Sequence, residues 1–117
     1  MDKVELENRT KRFALNVIQL VSKLPKNKAC DVIGYQLMKS GTSIGANYGE
    51  AARAESRADV IHKIGVVEKE TSETLYWLEL LVESSQLEEN KLLPLKKECE
   101  ELLAIFTATG RTAKKRR

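Results

Sequence analysis

The chain has 117 residues, 42% of them hydrophobic and 32% charged, which makes one domain and excludes both a disordered and a membrane-embedded chain. Two prolines, six glycines and six aromatic residues give too little punctuation for a many-stranded β-fold and favour long helices. The formal charge of +3 is unevenly placed: residues 1–67 carry eleven basic and seven acidic groups, residues 68–110 four and ten, and residues 111–117 five and none.

Four helical segments follow in chain order. Leu6, Thr10, Phe13, Val17, Leu20 and Leu24 recur at alternating steps of four and three, widened by Ala14, Ile18 and Val21. Pro25 ends this first helix, because the residue before a proline is driven out of helical geometry. A second runs from about 27 to 54 on the seam Cys30, Ile33, Leu37, Ser40, Ile44, Asn47 and Ala51. The third opens at Ser56, which with Asp59 forms a helix-entry signal. Its seam is Val60, Ile64, Val67, Thr71, Thr74, Leu78 and Leu81. The fourth carries Leu92, Leu95, Cys99, Leu102 and Phe106, accepts Pro94 in its first turn or two, and is read as stopping before Gly110 as a C-terminal cap. Short connections make successive helices antiparallel neighbours. The expected fold is all-α, an up-down-up-down four-helix bundle over residues 1–110 followed by a flexible basic tail at 111–117.

Polar residues on the second helix form a stripe. Gln36, Ser40, Ser43, Asn47 and Glu50 border the apolar seam, with Gly34, Gly41, Gly45 and Gly49 between them. Each helical glycine costs about 1 kcal/mol relative to alanine, so the set is read as tight helix packing along a satisfied polar seam rather than a ligand or nucleic-acid groove. With two faces suited to close contact, this helix also points to self-association. The third helix repeats the theme with Glu70, Glu73 and Trp77, the carboxylates expected to pair with Arg53, Arg57 or Lys63.

Catalytic and metal chemistry find no candidate. A di-iron bundle needs two Glu-x-x-His pairs, and His62 is the single histidine. Cys30 and Cys99 stand outside any CxxC spacing and read as small core residues. Phosphate-loop, dinucleotide and nucleophile motifs are missing from the sequence. The expectation is a protein without enzymatic activity or cofactor. With no secretory leader and no membrane-length apolar run, it is placed in the cytoplasm. Arg111, Lys114, Lys115, Arg116 and Arg117 either attract RNA or DNA by charge or simply keep the chain soluble. With no aromatic interleaved, base stacking is not expected there. Lys3, Arg9, Lys11, Arg12, Lys23, Lys26 and Lys28 offer a second basic set. A protein–protein adapter is the alternative to nucleic-acid association.

Four stretches together resemble a known family: Leu24-Pro25-Lys26; Gln36 through Ala51 with its Ser-x-x-Ser-Ile-x-x-Asn-x-x-Glu run; Arg53 to Lys63; and Lys69 to Leu81 with Lys-Glu-x-x-Glu-x-x-Tyr-Trp-Leu. The resemblance, over about residues 5–108, is to the bacterial four-helix-bundle proteins, also called the 23S rRNA intervening-sequence protein family. It implies a bundle that assembles as a ring-shaped homopentamer. Through related accessory proteins of diversity-generating retroelements, it also implies association with RNA or a ribonucleoprotein. The matching positions are Ser40, Ser43, Ile44, Asn47, Glu50, Arg53, Glu70 and Glu73, for which the family implies no catalytic role.

Overall fold

Helix starts fall where a short polar side chain takes over an unpaired backbone N–H. The Asp2 carboxylate accepts from the Glu5 N–H at 2.8 Å, the Asn27 side chain from Cys30 at 2.8 Å, and the Ser56 hydroxyl from Asp59 at 3.1 Å. In the computed structural model, which describes residues 1–115, these caps open α1 (Lys3–Ser22), α2 (Lys28–Ala52) and α3 (Arg57–Glu83), and α4 (Glu89–Lys115) follows. Ser85 closes the α3 end in the left-handed region at φ 56°, the position glycine usually takes. Among the described residues there is no strand.

The helices alternate in direction and form an antiparallel four-helix bundle of 47 × 22 × 19 Å. Neighbours in sequence pack broadly on one another, whereas α1 and α4 meet only sparingly. Phe13 and Val17 from α1, Leu37 and Ile44 from α2, Leu78 and Leu81 from α3, and Leu92, Leu102 and Phe106 from α4 are sealed from solvent. Tyr48 joins them, its ring centroid 5.6 Å from that of Phe106. Four polar residues share this interior: Thr10, Ser40, Thr71 and Thr74. Thr10, Ser40 and Thr71 donate their hydroxyls to carbonyls of their own helices, and the Thr74 hydroxyl shares its one proton between the Glu70 carbonyl and the Ser40 hydroxyl, 2.8 Å away across α2 and α3. Such pairing is what makes a buried hydroxyl tolerable.

Two sequence expectations are corrected. On α2 the buried residues are Cys30, Gly34, Leu37, Ser40, Gly41, Ile44, Tyr48 and Ala51, so Ile33 and Asn47 lie at the margin. The glycines let α1 approach: a Cβ on Gly41 would stand 3.0 Å from Val17 Cγ2, and one on Gly45 would stand 3.2 Å from Thr10 Oγ1. Both close-contact faces of α2 are therefore filled inside the chain, one by α1 and the other by α3. The second correction concerns Gly110, which does not end α4. It is helical and buried, with the position of a Cβ 3.4 Å from Ile64. It provides close approach instead of a left-handed cap, and residues 111–115 continue the helix.

Candidate functional site

The polar stripe of α2 proves to be largely self-satisfied. Ser43 donates to the Lys39 carbonyl at 2.6 Å and Asn47 to the Ser43 carbonyl at 2.9 Å, both one turn back on the same helix. Ser40 is committed to Thr74, while Gln36 is half-buried on the same side. Glu50 accepts from Lys63 of α3 at 2.7 Å. Arg53 reaches Glu7 of α1 at 3.1 Å and the Gly49 carbonyl at 3.0 Å. The cations expected to neutralise Glu70 and Glu73 are thus engaged elsewhere, apart from Arg57, which is exposed at the start of α3.

Glu73 instead accepts the Trp77 indole N–H at 3.2 Å, and the Trp77 ring meets Tyr76 edge-on at 5.0 Å. Glu70 is half-buried, with no ion pair within 4 Å among the described residues. Burial raises its pKa and Glu73 adds to the rise, while Lys69 and Lys39 act in the opposite sense. This row of α3 carries charge and hydrogen bonds but no nucleophile or base paired for chemistry. His62 is exposed. Among the described residues no three His, Cys, Asp or Glu side chains converge as metal ligands. Cys99 is fully buried in the core, and that burial pushes its thiol up to about 12, which disfavours the nucleophilic thiolate.

The basic C-terminal residues and the lysines of the α1–α2 turn sit at opposite ends of the bundle, while Lys39, Lys69 and Lys96 lie along its length. Arg111, Lys114 and Lys115 are exposed on the last turns of α4, at the end where α1 and α3 begin. None of the three has a carboxylate within ion-pair distance among the described residues. Arg116 and Arg117 lie outside the described residues. Lys23, Lys26 and Lys28 lie at the opposite end, around the α1–α2 turn, so they cannot extend the same patch. Arg9 leaves the basic set altogether. It grips Glu98 in two bonds of 2.6 and 2.7 Å and Glu101 in a third of 3.0 Å, tying α1 to α4. No local pattern marks this clip, because its partners are some ninety residues apart in sequence.

Beside the clip, residues of α1 and α4 together with Leu87 line a groove of about 440 Å³. No helix of the described residues is long and apolar enough to cross a membrane.

Comparison with known proteins agrees with the fold and the motifs. The model of the 23S rRNA-intervening sequence protein family matches residues 2–108. A crystal structure of a protein of unknown function from the S23 ribosomal protein family of Bacteroides thetaiotaomicron VPI-5482 superimposes with a TM-score of 0.86. It is 32% identical, over 95% of this chain and 99% of that one. No functionally curated protein matches the chain.

Proposed function

The chain belongs to the 23S rRNA-intervening sequence protein family, and from that premise we propose that it is a non-enzymatic, self-associating bundle that engages RNA by charge. The observation that carries this reading is the exposed basic end of α4, where Arg111, Lys114 and Lys115 have no ion-pair partner among the described residues. In the sequence this end continues into Arg116 and Arg117. One such end neutralises few phosphates and binds weakly. Assembly into a homopentamer multiplies it, and linked weak contacts gain avidity without any new type of contact. With no aromatic among these residues, the interaction reads charge and shape, not base identity.

Since α1 and α3 occupy the glycine and Ser40 faces of α2, assembly falls to the outer surface. Val32 and Tyr35 of α2 and Tyr76 of α3 are more than half exposed there (53%, 66% and 53%). Those same side chains favour the second reading, a protein adapter without nucleic-acid binding. A gel-shift titration with structured RNA separates the two. The RNA reading expects a complex that weakens with salt and is lost on deleting residues 111–117. The adapter reading expects no shift, and a protein partner that survives nuclease treatment in a pull-down. Sedimentation of the full chain tests the assembly, and a monomer at all concentrations removes the avidity argument.

A further inference from the structure

The α1–α4 groove has a built asymmetry. Leu20, Leu87, Pro94 and Leu95 form an apolar floor. Leu20 and Leu95 are each 8% exposed, against 0% for Leu92 and Leu102 in the sealed core. Lys23, at the α1 C-cap, and Lys91, in the first turn of α4, both line it at the end of the bundle where α1 stops and α4 starts. Neither has a carboxylate within ion-pair distance among the described residues. Glu98 lies two turns deeper along α4, but its carboxylate is neutralised by the two bonds from Arg9. The groove therefore runs from a positive mouth, over aliphatic side chains, to a charge-neutralised end at Glu98.

We propose that this groove is a binding site for a small amphipathic anion, with an acyl or aryl body on the leucine floor and a carboxylate-like head between Lys23 and Lys91. At about 440 Å³ it falls within the ordinary range of ligand pockets, about 300–1,000 Å³. The amides of Asn16 and Gln19 also line it and supply further donors. On α1 the lining runs from Asn16 to Lys23, about two helical turns or roughly 10 Å. That length suits a short ligand better than a long helix laid along both elements. The site stands independently of the RNA reading, since it lies at the end of the bundle away from Arg111, Lys114 and Lys115.

The test is an amide NMR titration of the full chain with decanoate, and in parallel with decyltrimethylammonium as the charge-reversed probe, both below micelle formation. Decanoate is expected to give saturable shifts confined to residues 16–23 and 87–98. The cation is expected to bind about tenfold more weakly, the effect of two surface charge pairs. The exposed double substitution Lys23→Glu/Lys91→Glu should invert that preference with an unchanged circular-dichroism spectrum, and Asn16→Trp should block both probes. Equal binding of the two probes, shifts spread over other faces, failure to saturate, or decanoate affinity unmoved by the double substitution would each overturn the proposal. So would a groove that ignores both probes and responds only to a protein partner.

Discussion

Gly41 and Gly65 invite the same substitution and should answer with opposite sign. Replacing a helical glycine by alanine stabilises a helix by about 1 kcal/mol when the methyl meets nothing. Gly65 is such a position: it is exposed in the middle of α3, with nothing within 4 Å of an added Cβ. Gly65→Ala is expected to raise stability by about 1 kcal/mol, or about 3–5 °C in Tm for a domain of this size. At Gly41 the same methyl would sit 3.0 and 3.1 Å from the two Cγ atoms of Val17 and 3.4 Å from its Cβ. Val17 is completely buried, and a helical valine has essentially one χ1 rotamer, so α1 itself must shift. Overpacking of this kind costs about 1–3 kcal/mol. Set against the same propensity gain, Gly41→Ala should be destabilised by up to about 2 kcal/mol. Urea titrations of both variants, followed by far-UV circular dichroism, measure the difference directly. If Gly41→Ala proves as stable as Gly65→Ala, the view that the α2 glycines exist to seat α1 is wrong.

Other substitutions test separate parts of the structure. Arg9→Ala removes three charge-assisted bonds between α1 and α4 and should cost about 1–2 kcal/mol, measured in the same titration; no change would make the clip ornamental. Ser85→Gly relieves a left-handed non-glycine residue at φ 56° and should stabilise by about 0.5–1 kcal/mol, with a raised Tm as readout. Glu70→Gln tests the half-buried carboxyl. A carboxyl whose pKa rises on folding contributes stability below its unfolded pKa and loses it as pH rises through the folded one. The glutamine variant should therefore exceed the parent at neutral pH. The gap should close on acidification through the carboxylate range, and a gap that widens there would contradict the assignment.

The seams of α1 and α4 were legible because their buried positions are apolar or threonine side chains at strict heptad spacing, and Pro25 and Ser56 punctuate by local chemistry. On α2 the pattern misled by one position. Cys30, Leu37, Ile44 and Ala51 belong equally to a stripe through Ile33, Ser40 and Asn47 and to one through Gly34, Gly41 and Tyr48. A buried glycine contributes nothing to an apolar count, so the second stripe was hidden. Gly110 failed for a related reason, since a glycine near a helix end signals a left-handed turn or a close neighbour, and only Ile64 decides which. The ion pairs between helices were illegible, unlike the i,i+4 pair Lys96–Glu100 within α4. Long cations such as Arg53 and Arg9 choose among acids brought near by the fold, and Glu7 and Glu98 are not distinguished from other glutamates by their sequence surroundings.

In the proposed function, the exposed charge on the final turns of α4, without an ion-pair partner among the described residues, binds RNA. Its most direct test is the affinity of the full chain for a structured RNA, measured across salt concentrations beside the triple variant Arg111→Glu/Lys114→Glu/Lys115→Glu. These side chains are exposed, so the bundle should remain folded. With RNA held by this end, log affinity of the parent falls linearly with log salt, and the variant loses both the affinity and most of that slope. An affinity and slope identical in parent and variant would contradict it.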